Sequence, residues 1–282
     1  MRCQETGQIW LIGGTRESSE LARALVQAQI PCIVTVTTDA ARSLYPSTAY
    51  LQIWIGRLDS RSLPDFLQKQ QIVAVLDASH PFAVEISELA IAATNEFQIP
   101  YLRYERPEIN SAKLRQGKPL LGAREVSFEN LDALFASSIL TRQRILLTIG
   151  HRSLHRFQPW QEQATLFARL LPSTTALEAA LAAGFTSDRL IAFRPPVSAE
   201  MERALWQQWQ ISMVVTKASG ASGGEDVKRQ IAAELGVTLV LIDRPPISYP
   251  QQTSDSRAAV KFCQDCLPRT SSCARSSKPN SK

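Results

Sequence analysis

Short apolar runs recur along the chain, each closed by a glycine or polar turn and followed by a stretch with apolar residues at helical spacing. In the first half the runs are Ile9-Trp10-Leu11-Ile12, residues 30–38, Leu51-Gln52-Ile53-Trp54-Ile55, Ile72-Val73-Ala74-Val75-Leu76 and residues 99–104. Runs of this length without strict alternation suit strands of a parallel sheet buried on both faces. Residues 18–26, 62–69 and 84–97 read as the intervening helices, and this alternation predicts a doubly wound α/β domain.

The pattern then restarts. Residues 144–149, 166–171, 190–193, 212–217 and 238–242 read as strands, and residues 175–183, 199–209 and 225–235 as helices. The expected fold class is α/β, with two Rossmann-like domains of mainly parallel sheets and a cleft between them. The expected boundaries are 1–138 for a dinucleotide-binding domain, 139–250 for a second α/β domain, and 251–282 for a basic, Ser-rich tail, partly disordered. Residues 110–128 read as polar and irregular, and the crossing between domains is expected near 131–140.

Three turns carry candidate chemistry. At Gly13-Gly14-Thr15 a strand feeds a helix through two glycines, where backbone and helix dipole together favour an anion. A full G-x-G-x-x-G would need glycine at Thr15 and Ser18; Thr15 offers either a hydroxyl donor or a helix cap. The end of the next strand, Thr38-Asp39-Ala40-Ala41-Arg42, holds both an acid suited to a ribose 2′-hydroxyl and an arginine suited to a 2′-phosphate, leaving NADPH and NADH both open. Ser79, His80 and Pro81 follow the fourth strand, where open α/β sheets bind ligands. Arg103 and Arg106 suit a carboxylate or phosphate, or ion pairs with Glu105 and Glu108. In the second half, Lys217-Ala218-Ser219-Gly220-Ala221-Ser222-Gly223-Gly224 precedes a helix and reads as a second anion cradle, with no Walker pattern through it.

Composition narrows the field. The net charge of +5 invites a nucleic-acid reading, but residues 251–282 hold six basic and two acidic residues, a net +4, leaving +1 for the rest of the chain. The basicity belongs to the tail, the body shows no basic stripe, and a nucleic-acid partner is not expected. No apolar run approaches the ~18 residues of a membrane span, so a cytoplasmic protein without a membrane partner is expected. The cysteines at 3, 32, 263, 266 and 273 include one C-x-x-C pair but no second pair, and no metal site is expected. The residues four after the five tyrosines are Ala49, Trp54, Glu105, Glu108 and Thr253, so the Tyr-x-x-x-Lys of short-chain dehydrogenases is missing.

Taken as an ordered set, the motifs resemble the precorrin-6A reductase family of cobalamin biosynthesis, including its cobalt-precorrin-6A branch. The resemblance spans residues 8–247. It rests on Gly13-Gly14-Thr15, Asp77-Ala78-Ser79-His80-Pro81-Phe82-Ala83 with Ile86-Ser87, Tyr101-Leu102-Arg103 with Glu105-Arg106-Pro107, Thr148-Ile149-Gly150, Ala168-Arg169-Leu170-Leu171-Pro172, and Thr216-Lys217 with Ser219-Gly220 and Gly223-Gly224. The resemblance implies an oxidoreductase in which NADPH or NADH delivers hydride to one double bond of a polycarboxylate tetrapyrrole. It implies that Gly13, Gly14 and Thr15 hold pyrophosphate, that Thr38, Asp39 and Arg42 meet the adenosine end, and that Ser79, His80 and Pro81 lie near the nicotinamide. The substrate would lie between the domains and be met by Arg106, Lys217, Ser219, Gly220, Gly223 and Gly224. His80 and Lys217 are the candidate proton donors. Ala218 departs from the pattern where a polar residue is expected, and Asp39 with Gly56-Arg57-Leu58-Asp59 looks more like the cobalt branch. The competing expectation is a non-catalytic, two-lobed dinucleotide-sensing or ligand-binding protein.

Overall fold

The computed structural model describes residues 7–107, 109 and 124–268. The chain divides into two compact units, Met1–Glu105 with Ile247–Lys282, and Arg106–Pro246. The first unit opens with β1 (Gln8–Ile12), α1 (Arg16–Gln27) and β2 (Cys32–Val36), then a 3-10 turn over Asp39–Leu44 and β3 (Leu51–Ile55). It continues through α2 (Leu63–Lys69), β4 (Ile72–Asp77), α3 (Val84–Glu96) and β5 (Tyr101–Tyr104). All pairings are parallel, in the order β3-β2-β1-β4-β5.

Burial on both faces explains why β1, β2, β4 and β5 lack an apolar–polar alternation. In β1, Ile9 and Leu11 point into a core with Leu21 and Leu25 of α1, while Trp10 and Ile12 point into the opposite core with Leu63 and Phe66. The indole N–H of Trp10 would be costly to bury alone, and it donates to Thr35 Oγ1 at 2.9 Å.

The second unit begins with β6 (Glu125–Phe128), α4 (Leu131–Ala136), β7 (Arg144–Leu147), a 3-10 segment over His151–Trp160, and β8 (Thr165–Leu170). It continues with α5 (Thr174–Ala182), β9 (Leu190–Ala192), α6 (Ala199–Gln208), β10 (Met213–Lys217), α7 (Glu225–Leu235) and β11 (Thr238–Ile242). Side-chain oxygens of Asn130, Ser173 and Ser198 cap the starts of α4, α5 and α6. The six strands are parallel, in the order β6-β11-β10-β7-β8-β9. Their core on one face gathers Leu146, Phe167, Val214 and Leu239 beneath Trp206 and Ile231. The segment read as irregular to residue 128 therefore ends in an edge strand, and the crossing expected near 131–140 falls inside this unit, on α4. The chain passes between units at Glu105–Arg106 and again at Pro246–Ile247.

After that return, β12 (Gln252–Thr253) pairs with β5, and α8 (Ser256–Cys266) packs on the first core. Ala259 and Cys263, one helical turn apart, are fully buried there, with Val260 and Phe262 packed at the margin. Residues 251–268, expected to belong to the tail, thus complete the first unit. The expectation for 269–282 lies outside the described residues. Cys263 and Cys32 share this core as free thiols, and burial pushes the Cys32 thiol up to about 12 and Cys263 upward as well. Among the described residues there is no cluster of His, Cys, Asp and Glu able to hold a metal, and no helix is long and apolar enough to cross a membrane.

The two sheets share one plan. Read from the β3 edge, the first runs β3-β2-β1-β4-β5-β12; read from the β9 edge, the second runs β9-β8-β7-β10-β11-β6. In both, the chain adds strands outward from a central strand, then jumps back to its other side. The sixth strand comes from the segment that follows the second unit in one and from the segment before β7 in the other.

Candidate active site

The jump places a switch point between β1 and β4, where neighbouring connections leave in opposite directions and open a crevice at the carboxyl ends. Ile12 is paired with Asp77, so the turns that follow them emerge side by side. Thr15 Oγ1 donates to Ala78 O at 2.8 Å and accepts from Ser18 N at 3.1 Å. The Thr15 amide donates to Ser18 Oγ at 3.0 Å, which completes a capping box at the start of α1. The hydroxyl of Thr15 therefore takes the capping role, its single proton held by Ala78.

The two glycines differ in purpose. A Cβ on Gly13 would lie 2.4 Å from Tyr45 Oη and 2.6 Å from Val34 Cγ2, so glycine is needed there for room inside the fold. Gly14 has φ +96°, and a Cβ built on it would meet nothing within 4 Å. Its amide donates to Tyr45 Oη at 2.7 Å, and the same hydroxyl lies 2.7 Å from Ser18 Oγ. Burial raises the Tyr45 pKa, partly offset by these bonds from Gly14 and Ser18. Thr38, Asp39 and Arg42 lie exposed on and beside the 3-10 turn that follows β2.

Beyond β4, the Ser79-His80-Pro81 turn rests on a buried polar network. Asp77 Oδ1 accepts from Ser79 N and Arg103 Nη1, both at 2.9 Å, while Oδ2 accepts from Ser87 Oγ at 2.6 Å and Tyr101 Oη at 2.7 Å. Arg103 also donates to Ser79 Oγ at 3.0 Å, Ser79 O at 3.1 Å and Glu105 at 2.9 Å, with the Tyr249 ring over its guanidinium at 5.2 Å. Asp77 and Arg103 are 0 % and 1 % exposed, so each satisfies the other's buried charge. His80 is half-buried, and its Nδ1 accepts from Phe82 N at 3.2 Å, which leaves the ring proton of the neutral form on Nε2.

The second unit has the equivalent switch point between β7 and β10. Val215 is paired with Leu147 and its carbonyl accepts from Thr148 N at 2.9 Å, so the Gly150-His151-Arg152 turn and the Lys217–Gly220 turn leave neighbouring strands. Lys217 is half-buried; burial first, then the charge of Arg152, lower its pKa. His151 is lowered by the same two causes in the same order.

The glycine-rich turn beyond Lys217 is largely occupied by the chain itself. Gly220 N donates to the buried Glu225 carboxylate at 2.8 Å, which fills the place where the sequence suggested an external anion. Arg106, also buried, donates to Ser219 O at 3.2 Å, and Arg244 donates to Ala218 O and Arg106 O, each at 2.9 Å. Gly223 leaves room for Ser219, whose Oγ would sit 1.9 Å from an added Cβ. Lys228 folds back to donate to Gly223 O at 3.0 Å and Gly224 O at 3.3 Å, and burial brings its pKa down to about 8.

The structure thus gathers Gly13, Gly14, Thr15, Ser79, His80 and Pro81 at one switch point, with Thr38, Asp39 and Arg42 at the end of the adjacent strand. Arg106, Lys217, Ser219, Gly220, Gly223 and Gly224 gather in the second unit, so His80 and Lys217 belong to different units. Sequence reasoning missed Tyr45, the Asp77–Arg103 pairing and Arg152. An acid closing a buried strand and an arginine inside another were the available signal, since each must find a partner. A depression of about 280 Å³ lined by Asn95, Ile99, Tyr101 and Pro250 lies at the amino end of β5, the wrong end of a parallel sheet for its ligands.

Comparison with known proteins agrees with this architecture. The family model described as precorrin-6x reductase CbiJ/CobK matches residues 8–264. The cobalt-precorrin-6A reductase of Synechocystis sp. is 47% identical over 92% of this chain and 97% of its own length. That of Priestia megaterium is 32% identical over 86% of this chain and 92% of its own. The precorrin-6A reductase of Rhodococcus erythropolis is 30% identical over 90% and 95%. A solved structure titled CobK precorrin-6A reductase superposes with a TM-score of 0.75 at 24% identity, covering 92% of this chain and 97% of that one, which shows the shared fold. With nearly the whole chain matched and its two six-stranded parallel sheets in place, this protein belongs to the precorrin-6x reductase family of cobalamin biosynthesis.

Proposed function

We propose that this chain is a cytoplasmic, NAD(P)H-dependent reductase that transfers hydride to one double bond of a precorrin-6A-type macrocycle. The observation that carries the reading is the first unit's β3-β2-β1-β4-β5-β12 order, with a Gly13-Gly14 turn at the β1/β4 switch point, the arrangement that binds dinucleotides in this fold class. The 47% and 32% identical relatives are named for the cobalt form, which favours cobalt-precorrin-6A as substrate, its cobalt arriving in the ring.

The residues present fit a dinucleotide. Open space beside Gly14 at positive φ lets a pyrophosphate approach the backbone, and the positive end of the α1 dipole favours its charge. Thr15 acts by capping α1, and Asp39 or Arg42 meets the adenosine ribose. Bound there, the reduced nicotinamide would supply the hydride. Asp77 and Arg103 fix the Ser79-His80-Pro81 turn that orients it. In the second unit Lys217 meets a substrate carboxylate and is the stronger candidate to hold the proton, because burial and Arg152 make its ammonium more acidic than a solvated lysine. Arg106, Ser219, Gly220, Gly223 and Gly224 shape the loop that carries it.

The test is titration of wild type and Arg42→Ala with NADPH and NADH, followed by nicotinamide fluorescence. NADPH binding that weakens at least tenfold in the variant, with NADH unaffected, assigns the 2′-phosphate to Arg42. Binding that prefers NADH and is insensitive to Arg42→Ala assigns the ribose to Asp39. Binding of neither removes the dinucleotide reading.

A further inference from the structure

The segment that carries Asp39 and Arg42 has little packing to hold it. None of its residues from Asp39 to Leu44 is buried, and Ala41 and Leu44 only border the core. Hydrogen bonds at its far end fasten it to α1 and the glycine turn. Leu44 O accepts from Ser19 Oγ at 2.5 Å and from Arg23 Nη2 at 3.3 Å. Tyr45, next in sequence and buried, sets its hydroxyl between Gly14 N and Ser18 Oγ, 2.7 Å from each. Ser18 Oγ in turn donates to Thr15 O at 2.7 Å.

Only one assignment uses every proton once: Gly14 N–H to Tyr45 Oη, Tyr45 O–H to Ser18 Oγ, and Ser18 O–H to Thr15 O. Such a directed chain strengthens each member by polarising the next. The missing side chain of Gly13 is part of the same device, since a Cβ there would lie 2.4 Å from the Tyr45 hydroxyl. The residue that ends the ribose-side segment is thereby clamped to the phosphate-side turn.

We propose that Tyr45 is a positioning residue that sets dinucleotide specificity, by holding Asp39 and Arg42 in register with the Gly13-Gly14 turn. This rests on the reading that the first unit binds a dinucleotide. Pyrophosphate and ribose 2′-position are joined by a short tether within one ligand, so contacts to both add together only when the protein holds its two sites within that reach. A charge-assisted contact to a 2′-phosphate, or a carboxylate on a 2′-hydroxyl, is lost with small displacements because hydrogen-bond geometry is steep.

The experiment measures Kd for NADPH and NADH in wild type, Tyr45→Phe and Ser19→Ala, with thermal melting of each protein. Tyr45→Phe keeps the ring and removes the bridging oxygen; Ser19→Ala loosens the same segment at Leu44 and serves if the first variant folds poorly. The expected result is a ratio of the two Kd values that moves about tenfold toward one in Tyr45→Phe and in the same direction in Ser19→Ala. A role in packing alone would lower the melting temperature and leave the ratio where it was. An unchanged ratio in both variants, or a wild-type ratio already near one, overturns the proposal. Failure of wild type to bind either dinucleotide overturns the underlying reading and the proposal with it, and the wild-type titration alone identifies that outcome.

Discussion

Arg103 enters the protein interior from a strand, and its charge is tolerated because Asp77, the hydroxyl and carbonyl of Ser79, and Glu105 enclose it. Arg103→Met would leave Asp77 as a buried carboxylate with its neutral donors alone. Loss of one partner of a buried pair costs about 3–5 kcal/mol, and urea denaturation should show a midpoint lowered accordingly. Lys217 poses the opposite problem, a cation held close to another cation. Burial and Arg152 both lower its pKa, so Arg152→Ala should raise it. If the ammonium form delivers the proton, the rate falls as pH rises through that pKa. The alkaline limb of the kcat–pH profile should then move to higher pH in Arg152→Ala, and a limb that stays fixed would remove Lys217 from the proton-donor role.

Elements differ in how plainly their sequence announces them. β1, β2, β4, β5, β7, β8, β10 and β11 stand out because burial on both faces demands near-continuous apolar runs, whereas the part-exposed edge strands β3 and β9 show through their apolar residues alone. β6 does not, because Glu125-Val-Ser-Phe is a short edge strand whose faces alternate exposed and half-buried. α8 was hidden by composition: its Ser, Arg, Lys and Asp residues read as tail, while the buried contacts come from Ala259 and Cys263, two small residues at helical spacing. Ala259→Asp would force a carboxylate into that core, at a cost of several kcal/mol. Limited proteolysis should then cut within 251–268, while a fragment covering 106–246 persists; a variant as resistant as wild type would mean that α8 is dispensable to the first unit. The turns at the two switch points were legible from their glycines, whereas Tyr45 and the Asp77–Arg103 pair were not. Those contacts join residues 27, 31 and 26 positions apart, and periodicity carries no information about such distances.

At the scale of the whole molecule, one strand plan is executed twice with different wiring. The second sheet draws all six strands from one continuous stretch, whereas the first borrows its edge strand from beyond the second unit. During synthesis on the ribosome this difference becomes a difference in time. The second unit has all its described strands once residue 242 is out, but the first waits with the β5 edge unpaired and the surface under Ala259 and Cys263 uncovered until β12 and α8 are made. An unpaired strand edge beside exposed apolar side chains invites association with other nascent chains. The order of maturation is therefore inverted relative to the order of translation: the unit translated first is completed after the second, and a truncation that removes β12 and α8 strikes the first unit.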